Sequence, residues 1–266
     1  FNHTAGWTGD RLDSTGDGDD ALAEYVSLMA EFDQVSPLGA EVSYNNASLS
    51  LAGRIIEKVS GSTFEQAMKD LVLAPLGMDH TFFFANDVMT RRFTVGHTRH
   101  PDGRITVNRP WAMPRSMAPA GGMSATAADQ LRWAWLHLGT GTAVDGKAFL
   151  SKELLRRMQQ PTADMAGSAL GDAVGISWLL RDVGGVQLVG HGGTTNGQHS
   201  AFAMVPERGF AFISMTNCGP NGPTLNERLL KWALQHFAGV VEEEPQTVLL
   251  GDDALMAYTG RYETVA

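Results

Sequence analysis

The chain has 266 residues, 43% of them hydrophobic and 18% charged, a composition typical of a globular protein with a sizeable core. Its 20 basic and 29 acidic residues give a net charge of −9, which disfavours a nucleic-acid partner because phosphate binding needs the opposite sign. There is no run of about 18 apolar residues for a membrane span. The single cysteine, Cys218, excludes an internal disulfide and a cysteine zinc cage.

Apolar spacing predicts helices in the first part of the chain. One helix is predicted within 19–32. A second carries Leu51, Ile55 and Val59 at intervals of four residues, with Ala52 and Ile56 on the adjoining row, which predicts an apolar stripe. Gly61 is typical of a residue that ends a helix.

Capping patterns and periodicity predict the remaining helices. Ser62 and Glu65 have the spacing of a capping box for a third helix, which Pro75 ends. Thr224 and Glu227 have the same spacing before a helix near the C-terminus. Two further helices are predicted after Thr126 and over 152–158.

The predicted fold class is α+β. Residues 80–124 show no regular period, so we expect an irregular excursion over the surface or over a site. Later, short apolar and β-branched runs separated by glycine-rich turns predict antiparallel strands over 176–181, 186–189, 200–205 and 210–215. This order favours an antiparallel sheet flanked by helices, with a mostly helical subdomain.

Residues 190–197 are the first candidate for a functional site, because they contain four glycines and follow a predicted strand. Glycine allows close backbone approach, so the strand edge around Gly193 and Thr194 could offer amide donors to an oxyanion. A hairpin linker explains the glycines equally simply. His191 has seven other histidines as competitors and fits an ordinary polar position as well as a catalytic one.

Tyr44 and Asn46 form a second candidate, since they lie two residues apart before a predicted helix and could project a phenol and an amide into one cleft. The alternative is a half-buried tyrosine and an N-cap asparagine. Other chemistry is poorly supported. No glycine-rich loop carries the lysine of a phosphate-binding loop, and His97 and His100 have no evident third metal ligand.

Five fragments follow one another as the motifs of a known family do: 2–7, 43–46, 53–61 with 74–78, 119–124, and 191–193. They resemble the serine β-lactamase-like hydrolases, which include class C β-lactamases, D-aminopeptidases, D,D-carboxypeptidases and related esterases. Within this resemblance, 43–46 is similar to a Tyr-x-Asn motif and 191–193 to a Lys-Thr-Gly or His-x-Gly motif.

The resemblance implies a role for each candidate residue. Tyr44 would be the general base and acid, with a pKa lowered by neighbouring positive charge. His191 would donate a hydrogen bond to Tyr44 or to the substrate. The implied substrate-binding residues are Asn46, which would bond the substrate amide, Gly192 and Gly193 at an open strand edge, and Thr194, whose amide would form half of an oxyanion hole.

The chain departs from the family at the nucleophile. No serine is followed three residues later by lysine, although Ser-x-x-Lys supplies the family's nucleophile. We therefore expect a fold that is incomplete at the N-terminus, with an exposed sheet edge that causes poor solubility or is completed by a further segment. The expected domains are a hydrolase domain over 1–240, a linker over 241–251, and the start of a truncated accessory domain over 252–266.

The resulting hypothesis is a serine hydrolase that cleaves an amide or ester through an acyl-enzyme, with serine and lysine absent from this chain. His191 favours a peptidase or esterase over a true β-lactamase. The alternatives are an inactive homologue that binds peptides or cell-wall fragments, and an inert piece of a longer enzyme.

A small-molecule or peptide substrate is implied, with no cofactor, nucleic acid or membrane segment. Substrate identity and oligomeric state stay open. A periplasmic or secreted location would agree with the family, but no targeting region is visible.

Overall fold

The computed structural model of the chain describes residues 1–8, 11–243 and 248–261. The helices in this part are α1 (Ala21–Leu28), α2 (Ala47–Ser60), α3 (Phe64–Met68), α4 (Ala85–Met89), α5 (Ala118–Gly121), α6 (Ala127–Trp135), α7 (Lys152–Met158), α8 (Asn221–Ala233) and α9 (Asp252–Met256). The strands are β1 (His97–Arg99), β2 (Ile105–Val107), β3 (Ala163–Ser168), β4 (Gly171–Val174), β5 (Leu179–Val183), β6 (Val186–Gly190), β7 (Gly193–Thr195), β8 (Gln198–Val205), β9 (Phe210–Thr216) and β10 (Cys218–Gly219).

The main sheet is antiparallel and has seven strands. Its order is β3-β4-β5-β6-β8-β7, and β9 pairs with the other side of β8 from Val205↔Phe210 to His199↔Thr216. The four predicted strands correspond to β5, β6, β8 and β9, so the predicted α+β fold with helices on an antiparallel sheet is confirmed. The sequence pattern missed β3, β4 and β7, which are short or rich in glycine and polar residues.

Helices cover both faces of this sheet. Phe202 and Met204 of β8 pack in one core cluster with Ala134 of α6. Val205, the next residue, packs in another cluster with Leu234 at the end of α8. Because successive side chains of a strand point to opposite faces, the two clusters lie on opposite sides of the sheet.

The helical part holds α1, α2, α3 and α5. The residue that ends α2 is Gly61, in the left-handed region with φ of 72°, as predicted. The predicted apolar stripe of α2 is buried only in part: Leu51 and Ile56 pack against core clusters. Ile55 is 50% and Val59 83% exposed. The buried face contains Ser50 and Gly53, and a Cβ on Gly53 would overlap Pro119 of α5. Glycine at position 53 therefore allows α2 and α5 to pack closely.

Both predicted capping boxes are wrong. Thr63, one residue after Ser62, is the N-cap of α3 and accepts a bond from the Gln66 amide. Glu65 is buried and instead binds the Arg115 guanidinium at 2.9 Å. Thr224 lies inside α8, which begins at Asn221. An early start is compatible with Pro223, since proline fits the first turn of a helix.

Residues 80–124, for which no regular structure was predicted, contain α4, β1, β2 and α5. The strand β1 pairs antiparallel with β2 and parallel with β10, whose partner residue Cys218 is distant in sequence. Local periodicity does not reveal such a long-range pairing.

At the other end of the chain, the expected linker and accessory segment fall partly outside the described residues, and α9 is exposed there. No helix in the described ranges is long and apolar enough to cross a bilayer.

Candidate active site

Tyr44 is held at the entrance to α2. Its neighbour Asn45 is buried, and the Asn45 Oδ1 accepts bonds from the backbone and the hydroxyl of Ser48 at 3.1 and 3.3 Å. These bonds cap the first turn of the helix. Asn46 occupies the N-cap position, but its side chain makes no capping bond. The capping role considered for Asn46 therefore falls to Asn45, and Tyr44 is half-buried just ahead of it.

The central contact of the site joins Tyr44 to His191, 147 residues away. The Tyr44 Oη lies 3.3 Å from the Nε2 of His191, and the two rings are 6.0 Å apart. His191 follows β6, and its backbone amide bonds the Phe202 carbonyl on β8 at 3.1 Å. The helical part and the sheet therefore meet at this pair of side chains.

The direction of this hydrogen bond follows from the other ring nitrogen. The Nδ1 of His191 lies 2.6 Å from the carbonyl oxygen of Gly192. A carbonyl only accepts, so Nδ1 carries a proton, and the Nε2 of a neutral imidazole then accepts from the Tyr44 hydroxyl. The sequence-based expectation was that His191 donates to Tyr44 or to the substrate. His191 can donate to Tyr44 only after it has gained a second proton.

His3 completes the surroundings of Tyr44, and the residue pattern gave no role for it. Its ring stacks on the Tyr44 ring with centroids 4.3 Å apart and planes 25° from parallel. His3 is 2% exposed, and its Nδ1 lies 3.2 Å from both the backbone nitrogen and the carbonyl oxygen of Asn45. This stack fixes the plane of the phenol against the backbone that carries it.

The glycine-rich segment runs from His191 into β7, at one side of the sheet. The strand pairs with β8 through Gly193↔Ser200 and Thr194↔His199, and within the described residues no strand covers its other edge. Gly192, Gly193 and Thr194 are exposed along it. The hairpin alternative also explains the glycines, because Gly193 begins β7 and Gly197 lies in the turn that leads to β8.

Thr194 is fixed from behind by a histidine that the sequence did not single out. Its Oγ1 lies 3.1 Å from the Nδ1 of His199. Burial lowers the pKa of His199, which favours the neutral ring. Of the predicted site residues, Tyr44 and His191 are in direct contact. Asn46 lies two positions after Tyr44 in the sequence, and Gly192, Gly193 and Thr194 directly follow His191.

A groove of about 220 Å³ opens beside His3, between the first residues of the chain and α2. One wall is the exposed side of α2, with Leu51 and Ile55, and another is the first residues of the chain, including His3, which stacks on Tyr44. No group of three or more histidine, cysteine, aspartate or glutamate side chains in the described ranges could hold a metal ion.

A helical part packed against an antiparallel sheet is an arrangement shared with penicillin-binding and β-lactamase folds. The octameric penicillin-binding protein homologue from Pyrococcus abyssi superposes with a TM-score of 0.70 at 21% identity, over 90% of this chain and 55% of its own. The D-amino acid amidase from Ochrobactrum anthropi SV3, complexed with L-phenylalanine amide, gives 0.63 at 23% identity, over 82% and 63%. These likenesses show the fold.

The model of the Beta-lactamase family matches residues 1–237, and the chain belongs to this family. Penicillin-binding protein 4 from Amycolatopsis lactamdurans is 33% identical over 222 residues, which are 82% of this chain and 58% of that protein. The chain thus spans little more than half the length of this relative. The family resemblance seen in the sequence is confirmed.

Proposed function

We propose that this chain forms the proton-transfer and substrate-binding part of a serine hydrolase that cleaves an amide or ester through an acyl-enzyme. The contact between the Tyr44 Oη and the His191 Nε2 carries this proposal. This contact joins Tyr44 of the helical part to His191, which leads into β7, the strand with an open edge. Membership of the Beta-lactamase family supports the reaction class.

In the proposed reaction, a serine hydroxyl attacks the substrate carbonyl while its proton passes to Tyr44, and Tyr44 passes its own proton to the Nε2 of His191. The relay leaves His191 as an imidazolium that donates to both Tyr44 and the Gly192 carbonyl. Return of the proton through Tyr44 to the leaving group gives the acyl-enzyme. Water then attacks the acyl group with the same two residues as acid and base.

The other candidate residues bind substrate in this scheme. The amide of Thr194 donates to the developing oxyanion from the open edge of β7. Asn46 hydrogen-bonds the substrate amide. Gly192 and Gly193 leave the strand edge free for substrate, and the neutral His199 keeps the side chain of Thr194 in place.

The nucleophile is proposed to come from outside these 266 residues, because none of them forms a Ser-x-x-Lys motif. The groove beside His3 supports this part of the proposal. Its α2 wall is apolar and exposed, with Ile55 at 50%. A segment seated there would lie next to the His3 ring and so close to Tyr44.

The absence of Ser-x-x-Lys favours one alternative, an inactive homologue that binds a peptide or a cell-wall fragment. Burst release of one acyl group per molecule separates the hydrolase from this binder. Binding of an amide without turnover identifies the binder, and a chain that does neither is inert.

Substitution of Tyr44 tests the hydrolase proposal. In the form of the protein that carries the nucleophile segment, joined or supplied separately, Tyr44→Phe should lower kcat by about 10²- to 10⁴-fold, because phenylalanine relays no proton. Stopped-flow release of nitrophenol from an ester would measure this. The matched control is Tyr258→Phe, at an exposed tyrosine of the C-terminal segment. An unchanged burst in Tyr44→Phe would contradict the role of Tyr44.

A further inference from the structure

Positive charge is concentrated in one segment of this acidic chain. Residues 91–115, here called the basic arm, contain six of the 20 basic residues and a single acidic residue, Asp102. The chain as a whole carries −9. Such segregation creates a local positive potential that attracts anions.

The base of the basic arm is fixed to the turn between β7 and β8. Gly96 lies so close to the Asn196 carbonyl that it has no room for a Cβ. The Thr94 hydroxyl donates to the Gln198 side-chain oxygen at 3.0 Å. Since Gln198 pairs with Thr195 at the last position of β7, the arm meets this strand at the end opposite to His191.

The arm also reaches the helical part of the site. Its Trp111 donates from Nε1 to the Thr94 carbonyl at 2.9 Å and meets the Phe93 ring edge-to-face at 5.7 Å. Two residues later, Met113 packs in the cluster that contains Ala47, the first residue of α2. The arm therefore spans the site from the β7–β8 turn towards the helix that follows Tyr44.

Several arginines of the arm already have partners. Arg115 bonds Glu65, Arg104 pairs with Asp102 at 3.7 Å, and Arg91 lies over the Phe82 ring at 4.6 Å. Arg92 and Arg109 are exposed and form no ion pair with an acidic side chain in the described part of the chain. They directly precede Phe93 and Pro110, beside the aromatic pair. Arg99 is also exposed, but it lies near the tip of the β1–β2 hairpin, away from the end of the hairpin that is near the β7–β8 turn.

We propose that Arg92 and Arg109 bind a carboxylate on the part of the substrate that extends from the Tyr44–His191 pair along β7 towards the β7–β8 turn. This assignment rests on the proposed function and adds a substrate class to it. An extended amide can pair with the open edge of β7. A guanidinium at the end of that path binds a carboxylate through two parallel hydrogen bonds, and Phe93 and Trp111 provide apolar surface beside it.

Two matched amides test this assignment on the 266-residue chain: N-succinyl-phenylalanine amide, which carries a terminal carboxylate, and its neutral succinamoyl analogue. Titration calorimetry measures both affinities. The wild-type chain should prefer the succinyl compound. Arg92→Gln and Arg109→Gln should each weaken its binding by about fivefold, as expected for an exposed ion pair, and leave the neutral analogue unchanged. Arg104→Gln, in the same arm, is the control and should change neither.

The outcomes separate this assignment from the proposed function. Asn46→Ala should weaken both amides, since Asn46 is proposed to bond the amide itself. The carboxylate site is overturned if the wild-type chain binds the two amides equally, or if both arginine variants bind the succinyl compound as the wild type does. In either case, weaker binding by Asn46→Ala would leave the proposed amide site intact. Failure of both amides to bind the wild-type chain overturns both proposals. Thermal unfolding of each variant confirms that it is folded.

Discussion

At the scale of single residues, the buried imidazole of His137 is an unfavourable feature of the core. It is 3% exposed, and neither ring nitrogen has a hydrogen-bond partner in the described structure. The edges of Trp133 and Trp178 meet the ring, with centroids at 4.5 and 5.0 Å. Burial among these aromatic rings lowers the pKa of His137 from 6.5 to about 4.

This pKa predicts acid sensitivity of the fold. In the unfolded chain the imidazole binds a proton near pH 6.5, whereas in the folded chain it does so only near pH 4. Stability should therefore be lost as the pH falls from 6.5 to 4, by about 3 kcal/mol, and change no further from this group below pH 4. Urea unfolding at a series of pH values measures the free energy of unfolding across this window.

The variant His137→Phe should flatten that pH dependence, because it removes the titrating ring and keeps the aromatic contacts. It should also stabilise the fold at neutral pH, since two unpaired buried nitrogens disappear. His80→Phe, at an exposed histidine, should leave the slope unchanged. An equally steep loss of stability in His137→Phe would show that other groups cause the acid sensitivity.

The sequence identified Tyr44 and His191 as candidates because their neighbours resemble family motifs. It could not give the direction of the bond between them, since that depends on the Gly192 carbonyl 2.6 Å from the other ring nitrogen. His3 and His199 were missed for a similar reason. Their contacts with Tyr44 and Thr194 arise from tertiary structure and leave no local pattern.

At the scale of elements, α2 shows how apolar spacing can mislead. Of the predicted row Leu51, Ile55 and Val59, the last two are exposed. The side with Ser50 and Gly53 packs on α5 instead. Periodicity located the helix and its end at Gly61 correctly, because these depend on neighbouring residues. The choice of face depends on Pro119, whose contact with Gly53 is not visible in the sequence. The side with Ile55 then forms a wall of the groove beside His3.

The strand β9 is the second informative element. It contains no charged residue and no proline, and within the described residues it pairs with β8 alone. An uncharged edge of this kind recruits other strands. Beside it, α8 exposes Leu225, Leu229 and Trp232, with Trp232 at 50%. We therefore expect the chain by itself to associate, unless a further segment covers this edge.

Replacement of Met215, which is 42% exposed on β9, tests this expectation. Met215→Lys should reduce association, because a lysine on an edge strand opposes pairing with another strand. Sedimentation velocity over a range of protein concentrations measures the change. Met89→Lys, at an exposed methionine of α4, is the matched control and should have no effect. A compact 28.6 kDa monomer that resists limited proteolysis and carries no bound peptide would contradict the expectation.

At the scale of the whole molecule, the described structure consists of a helical part and a sheet that meet at Tyr44 and His191. The basic arm spans both parts, from the β7–β8 turn to the cluster that holds Ala47. The α+β class was predictable because helices and strands differ in local period. The arm was not, since its strand β1 pairs with β10 far along the chain.

Tyr44 and His191 are proposed to relay the proton of a serine outside these 266 residues. Intact mass after treatment with a fluorophosphonate tests this most directly. The 28.6 kDa chain alone should gain no adduct, whereas the form that carries the nucleophile segment should gain one adduct, which peptide mapping locates on a Ser-x-x-Lys serine. An adduct on a serine within the 266 residues would contradict the proposal, as would the absence of any adduct in the longer form.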